Sequence, residues 1–469
     1  MVQHHAPAPV NMAHPWKHHV DRFCRQYLQL EPSLDFPPAE YLKLDTVQEL
    51  IYERLFADDA LLYAPPDRYR LRTLKQLIAR IEASIDDWDE HAVSDNLMSL
   101  LPVLLSAPLP SEAASVQQKH YVTYSLSLLD RGLGESDEAP SITLLENRSL
   151  ISAGGTTGLR TWEAALHLGQ YLCQNPSVVA GKRILELGAG TGYLSIMCAK
   201  YLACRHIVAS DGSDDVINNL PDNLFLNSLQ DSPLVTPMDV KWGHALVGTE
   251  DQQWNEGQSI DVVLGADITY DRSNHPALVG TILDLFELHP DVEVYIGATQ
   301  RNEQTSQVFL DTCKRSGLTV DDLEYPVMST KRQQGPFYND RDPIHIYRSS
   351  NRPAYGLDAT NVASQGLVAS RVKRWRPCNR APLPDVMSGG GVTLEAPCRQ
   401  DAASTDVNPV PSGRRVMGAN KALRWTSIAA DYWWPEHRRV RGPGTSQRVN
   451  KLVPARRDVA SLWGAGEHG

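Results

Sequence analysis

A glycine-rich segment between a predicted strand and a predicted helix carries the clearest chemical signal in this sequence. It reads Glu-Leu-Gly-Ala-Gly-Thr-Gly over residues 186–192. Glycines at alternate positions let a backbone turn sharply and approach a ligand without side chains intervening. The spacing differs from the G-x-G-x-x-G of dinucleotide-binding proteins. In addition, Glu186 beside the turn would repel a pyrophosphate but attract a ligand amine.

A second acidic residue, Asp211, ends the next predicted strand, Ile207–Asp211. A carboxylate at that position can accept hydrogen bonds from both hydroxyls of a ribose. S-adenosylmethionine (AdoMet) carries an amino-acid end, a ribose and a sulfonium, and it has no phosphate. The glycine turn, Glu186 and Asp211 together therefore predict an AdoMet site. The simpler alternative is a glycine turn that binds no ligand.

Two further polar residues, Asp267 and Tyr270, follow another predicted strand, Asp261–Ala266. The simplest interpretations are that Asp267 caps the following helix and that Tyr270 only packs.

These residues need a scaffold, and the region from 181 to 348 predicts one. Strand-like and helix-like segments alternate there, which is typical of a mostly parallel α/β sheet with helices on both faces. Ligands of such sheets bind at the carboxyl ends of the strands. The predicted strands are Arg183–Leu187, Ile207–Asp211, Val240–Trp242, Asp261–Ala266, Val292–Ala298, Leu318–Leu323 and Ile344–Arg348.

The chain of 469 residues is expected to contain four parts. Residues 1–20 are predicted to be a disordered tail, and 21–118 a helical module that is a candidate for substrate recognition. In this module, apolar residues recur at spacings of three and four from Leu71 to Trp88. Residues 119–349 are predicted to form the catalytic domain, which begins with two strands, 120–126 and 141–151, joined by a turn near 132–138. Residues 350–469 show no sustained periodicity and are predicted to be disordered.

The charge is divided unevenly along the chain. Residues 350–469 contain 18 Lys and Arg against 9 Asp and Glu, whereas the preceding residues contain 27 basic and 47 acidic side chains. An acidic folded part disfavours nucleic acid as its ligand and favours a basic protein partner, although the basic tail remains a candidate for nucleic-acid binding. The sequence contains no apolar run of membrane-spanning length and no apolar signal region. Seven irregularly spaced cysteines predict neither a disulfide framework nor a metal site, so we expect a cytoplasmic protein.

The motifs and their order along the chain resemble those of the class I, seven-strand AdoMet-dependent methyltransferases. They are most similar to those of the family-16 lysine methyltransferase branch. The branch pattern includes a Trp-Glu-Ala-Ala helix start at residues 162–165, the glycine motif, a Trp-Gly at residues 242–243 and a D-x-x-Y motif at residues 267–270. The resemblance implies a Rossmann-like fold. It also implies that eight residues surround the cofactor: Trp162, Glu186, Gly188, Ala189, Gly190, Asp211, Trp242 and Ala266.

Within that branch, the helical module, Leu145-Glu-Asn-Arg and residues 299–305 (Thr-Gln-Arg-Asn-Glu-Gln-Thr) are most similar to the methyltransferases that act on eukaryotic elongation factor 2. This resemblance implies a cytosolic enzyme that methylates one lysine of that factor.

The resemblance also makes Asp267 and Tyr270 the predicted catalytic residues. Methyl transfer to an amine is an in-line displacement, so catalysis depends on aligning a neutral amine with the methyl carbon. A lysine arrives protonated, with a pKa of about 10.4. We expect Asp267 to orient the ammonium and Tyr270 to line a channel whose low polarity favours loss of the proton.

A histidine or small-molecule acceptor stays open. An arginine acceptor is disfavoured, since that chemistry commonly uses paired carboxylates and the sequence offers only Asp267. A non-catalytic binding module is also disfavoured, because the motif residues are intact.

Overall fold

A computed structural model describes residues 14–108, 118–129, 140–148, 156–244, 246 and 257–351. The predictions for residues 1–13, for the turn at 132–138 and for the tail beyond residue 351 lie outside these residues. Within the described ranges, no helix combines the length and the apolar character needed to cross a membrane.

Five helices near the N-terminus pack around an apolar core of their own. They are α1 (Lys17–Leu28), α2 (Ala39–Leu42), α3 (Asp45–Leu55), α4 (Asp67–Glu82) and α5 (Asp95–Ser106). The predicted tail 1–20 extends too far, because α1 begins at Lys17 and buries Val20 on the same face as Phe23 and Tyr27. The predicted stripe also extends too far: α4 ends at Glu82, and Trp88 lies beyond it with 60% of its surface exposed.

Side-chain contacts with backbone groups join this helical module to the following domain. The Gln29 side chain accepts a hydrogen bond from the Phe337 backbone N–H at 2.8 Å and donates one to the Phe337 carbonyl. The Arg22 guanidinium donates to the Thr330 carbonyl at 3.0 Å and also pairs with Asp35. Because these buried side chains form hydrogen bonds with backbone groups, the contact has a fixed geometry.

An antiparallel hairpin, β1 (His120–Ser125) and β2 (Ser141–Glu146), follows the helical module. Its register places His120 opposite Glu146 and Ser125 opposite Ser141. The predicted pair of strands is confirmed, with a second strand that ends five residues earlier than expected.

Seven strands form the main sheet in the order β5-β4-β3-β6-β7-β9-β8. All neighbouring pairs are parallel except those of β9, which runs antiparallel to β7 and β8. The predicted α/β class and the mostly parallel sheet are therefore confirmed. The strands are β3 (Arg183–Leu187), β4 (His206–Asp211), β5 (Val235–Asp239), β6 (Val262–Ala266), β7 (Glu293–Thr299), β8 (Val320–Leu323) and β9 (Ile344–Ser350).

The prediction of a strand at Val240–Trp242 is wrong. The strand in that region is β5, five residues earlier, and Pro237 lies within it. Proline cannot donate a hydrogen bond to a neighbouring strand, so it is found mainly in edge strands. Because β5 is one of the two edge strands of this sheet, it tolerates Pro237, and Trp242 lies in the turn that follows.

Helices cover both faces of the sheet, as predicted. One apolar cluster contains Ile184 together with side chains of three helices, and the other contains Leu185 together with side chains of two. Successive strand residues point to opposite faces, so these neighbours in β3 separate the two cores. The first face carries α6 (Glu163–Gln174), α7 (Tyr193–Tyr201) and α8 (Asp214–Leu226), and the second carries α9 (His275–Leu288) and α10 (Glu303–Arg315).

Candidate functional site

The glycine-rich segment forms a tight turn between β3 and α7. Gly188, Gly190 and Gly192 all have positive φ angles, of 70°, 53° and 84°. Glycine adopts this left-handed conformation at little cost. The Ala189 N–H donates to the Ser210 carbonyl at 2.8 Å, which ties the turn to the end of β4. The turn predicted from the sequence is therefore present at the carboxyl edge of the sheet.

Replacing Gly188 with Ala should destabilise the protein more than the same change at a glycine outside the site. A Cβ at position 188 would lie 2.7 Å from Ile268 Cγ2 and 3.5 Å from the Trp242 ring. The positive φ costs about 1 kcal/mol, and the overlap adds about 1–3 kcal/mol. The matched control is Gly181→Ala, since Gly181 has a φ of 71° with no atom within 4 Å of its added Cβ. Urea unfolding of both variants measures the difference, and equal losses would contradict the described packing at the turn.

A cavity of about 360 Å³ opens above this turn. All ten residues that the sequence analysis selected line it. They are Trp162, Glu186, Gly188, Ala189, Gly190, Asp211, Trp242, Ala266, Asp267 and Tyr270. Elements as far apart in sequence as the start of α6 and the end of β6 thus meet in one place.

Glu186 is almost completely buried at the base of the cavity, with 2% of its surface exposed. Its carboxylate accepts a hydrogen bond from the Ser195 hydroxyl of α7. Burial raises the pKa of this carboxyl to about 8, because desolvation disfavours the charged form. A ligand cation beside Glu186 would stabilise the charged carboxylate and lower its pKa again.

Asp211 organises the turn and also faces the cavity. One carboxylate oxygen accepts the Gly190 N–H at 3.2 Å, and the other accepts the Ser213 N–H at 3.0 Å. Burial raises the pKa of Asp211, although these backbone donors act in the opposite direction. Each oxygen has a further lone pair, so the carboxylate can accept two ligand hydroxyls as well.

Aromatic side chains form the walls of the cavity. The Trp162 indole N–H donates to the Thr157 carbonyl at 2.9 Å, which fixes the ring. Thr157 also donates from its hydroxyl to the Tyr270 hydroxyl at 3.2 Å, while Tyr270 is 57% exposed at the opening. The Trp242 indole nitrogen is buried and has no hydrogen-bond partner among the described residues. Because a buried donor without a partner is costly, this N–H indicates a place for a ligand acceptor.

Asp267 lies at the cavity, but its carboxylate is already engaged. It accepts the Ala164 N–H, the Thr299 N–H and the Thr299 hydroxyl, each at 3.0 Å. Arg301 pairs with it at 3.2 Å. The residue caps α6 rather than the helix that follows it. It also has a positive φ of 52°, a conformation that is uncommon outside glycine and is enriched among Asp and Asn. This geometry favours a positioning role over direct binding of an ammonium, and the catalytic assignment stays a prediction.

Some residues at or beside the cavity are ones that the sequence did not indicate. Thr156, Thr157 and Arg160 line the cavity, whereas Glu163 and Arg301 lie beside two of its lining residues, Trp162 and Asp267. Glu163 and Asp267 are both paired with Arg301, so the structure supplies a carboxylate pair that the sequence did not indicate. Glu163 belongs to the Trp-Glu-Ala-Ala motif, and Arg301 belongs to the motif at residues 299–305. Their membership of these motifs is the signal that could have identified them.

The sheet order, with a glycine turn after its first parallel strand, defines a class I methyltransferase fold. The sequence profile described as "Lysine methyltransferase" matches residues 146–316. The protein-lysine N-methyltransferase EFM3 of Chaetomium thermophilum is 58% identical over 325 residues, which cover 69% of this chain and 96% of that protein. This chain therefore belongs to the family-16 protein-lysine N-methyltransferases, as the motifs predicted.

Two further relatives support this assignment. The human protein-lysine N-methyltransferase EEF2KMT is 36% identical over 190 residues, covering 38% of this chain and 56% of that protein. EFM3 of Saccharomyces cerevisiae is 33% identical over 233 residues, covering 45% of this chain and 66% of that protein.

Proposed function

We propose that this protein-lysine methyltransferase transfers a methyl group from AdoMet to a lysine of elongation factor 2 in the cytoplasm. The observation that carries the proposal is that the glycine turn, Glu186 and Asp211 meet in one cavity. The names of the related enzymes and the resemblance of the N-terminal module to the elongation factor 2 methyltransferases support the protein substrate.

The residues present fit AdoMet. Asp211 would accept the ribose hydroxyls, and Glu186 would accept a hydrogen bond from the amino group. The free N–H of Trp242 would donate to an acceptor of the ligand. When bound, AdoMet supplies a methyl carbon attached to a positively charged sulfur. The positive φ angles and absent side chains of the turn leave space for close approach of the ligand to the backbone.

The acceptor lysine would enter beside Trp162 and Tyr270 at the cavity opening. Their rings would remove water from the amine, which lowers the pKa of a lysine and favours the neutral nucleophile. The Tyr270 ring would attract the methylated ammonium products by cation–π contact. Asp267 would hold the start of α6 and the end of β7 in place around this opening. We infer that the helical module recognises the protein substrate, because the cavity itself would contact only the acceptor side chain.

Binding of the cofactor product S-adenosylhomocysteine should release a proton from Glu186. The ligand-free carboxyl has a pKa of about 8 and is therefore protonated at pH 7. An ammonium beside it favours the ionised form, so most of one proton should leave per ligand at pH 7. Calorimetry in phosphate and in Tris buffer measures this number, because the two buffers take up protons with different heats. The Glu186→Gln variant is the control and should show no buffer dependence. Equal binding heats in both buffers for the unchanged protein would contradict this role of Glu186.

The function is tested by incubating the protein with methyl-labelled AdoMet and purified elongation factor 2 from cells that lack this methyltransferase. The expected result is label in the factor, with mass spectrometry assigning the methyl groups to one lysine. Methyl groups on a histidine, or label confined to small molecules, would support the alternative acceptors. Label in a different protein would remove elongation factor 2 from the proposal while keeping the enzyme class.

A further inference from the structure

Arg301, which follows β7, pairs with the carboxylates of Glu163 and Asp267, and Asp267 lines the cavity. Its guanidinium lies 3.2 Å from Asp267 Oδ1 and 3.4 Å from Asp267 Oδ2, and it also pairs with Glu163. The same guanidinium lies over the Trp162 ring, with its carbon 5.1 Å from the ring centroid. A planar guanidinium can pair with carboxylates and stack on an aromatic ring at the same time. Arg301 therefore connects the start of α6, the end of β6 and the end of β7.

The charges around Trp162 balance. Arg160 lies 3.9 Å from Glu163, and its guanidinium carbon is 4.8 Å from the Trp162 centroid. Two cations, Arg160 and Arg301, therefore accompany two anions, Glu163 and Asp267. Without Arg301, Asp267 would have no cationic partner and Glu163 would keep only Arg160, so the carboxylate pair would carry a net negative charge beside Trp162. Carboxylates whose charge is not balanced stabilise an ammonium and raise the pKa of a lysine. A pair of them also suits a substrate guanidinium.

We propose that Arg301 is a positioning residue whose guanidinium occupies and neutralises the carboxylates of Glu163 and Asp267. This keeps Trp162 and Asp267 in place and leaves the opening electrically neutral. An incoming lysine then loses its proton more readily, and a substrate arginine finds its carboxylate partners occupied. The proposal rests on the proposed function, since it assumes that the acceptor enters at this opening.

Chemical rescue tests the proposal. The Arg301→Ala variant should lower kcat about 30-fold, equivalent to about 2 kcal/mol, while the Kd for S-adenosylhomocysteine changes less than about threefold. Guanidinium chloride at low millimolar concentration should restore part of kcat in this variant. Equal concentrations of sodium chloride or urea should not. Arg315→Ala, which removes an exposed arginine of α10, is the matched control and should neither lose activity nor respond to guanidinium.

A pH profile separates this role from a purely structural one. In Arg301→Ala, the pH at which kcat reaches half its maximum should move upward by about one unit, because the acceptor amine is held as an ammonium. Arg301→Lys keeps a cation without the planar fork and should give an intermediate kcat. This second variant provides a test if Arg301→Ala does not fold.

An unchanged kcat in Arg301→Ala would overturn the proposal. So would a loss of kcat with no guanidinium rescue and no change in the pH profile. Failure of the proposed function would give a different result from failure of the Arg301 proposal. In that case the enzyme without any substitution would not bind S-adenosylhomocysteine or would not methylate elongation factor 2.

Discussion

Replacing Asp267 with Ala should lower kcat for methylation of the protein substrate by about 100-fold, since small displacements of reacting groups have effects of that size. The change removes the acceptor for the Ala164 and Thr299 N–H groups and leaves Arg301 with Glu163 as its remaining carboxylate partner. Each buried donor left without a partner costs about 1–3 kcal/mol, so the melting temperature should fall as well. The measurements are kcat, the KM for elongation factor 2, the Kd for S-adenosylhomocysteine and the thermal transition.

The Asp267→Asn variant distinguishes the two roles considered for this residue. Asn keeps the shape and one acceptor oxygen but removes the charge that pairs with Arg301. If Asp267 positions the surrounding elements, kcat should fall while the KM for the protein substrate stays nearly constant. If it contacts the ammonium, that KM should rise. Full activity of Asp267→Ala in a folded protein would contradict both roles.

Replacing Asp211 with Ala should weaken AdoMet binding about 100-fold, as measured by calorimetry. The carboxylate holds the Gly190 and Ser213 N–H groups, and it would also accept the ribose hydroxyls. Hydrogen bonds to charged groups contribute about 1.5–3 kcal/mol each, so the loss of two costs at least about 3 kcal/mol, which corresponds to an effect of about this size.

Asp239 provides the matched control for Asp211. It ends β5, the neighbour of β4, and its register partner is Asp211 itself. It does not line the cavity, and its ion pair with Lys241 is half exposed. Such a pair contributes about 0–1 kcal/mol, so Asp239→Ala should leave the Kd for AdoMet nearly unchanged. An equal effect of the two substitutions would contradict the assignment of Asp211 to the ribose.

The centre of the fold was predictable because residues that are close together in the sequence indicate it. β3 is a short apolar run that ends at glycines, and these glycines occupy positions with positive φ, as the sequence indicates. Asp211 ends the next strand, and parallel neighbours place their carboxyl ends side by side. Residue type, strand order and spacing therefore determined this part of the site.

The remainder depends on contacts between distant segments. Arg301 and Glu163 are 138 residues apart, and no local pattern indicates that they pair. The alternative interpretation of Asp267 made it a cap of the helix that follows it, but its carboxylate accepts the N–H of Ala164 in α6, 103 residues earlier in the chain. The segment that contains Pro237 can form β5 because it lies at an edge of the sheet. The sequence of that segment does not by itself show which strands lie at the edges.

A crystal structure with S-adenosylhomocysteine would show whether the cavity above the glycine turn is the cofactor site. We expect density in that cavity, with the ribose hydroxyls on Asp211 and the amino group near Glu186. Density in another place, or crystals that take up a phosphorylated nucleotide at the turn and not this ligand, would contradict the assignment of this cavity to AdoMet.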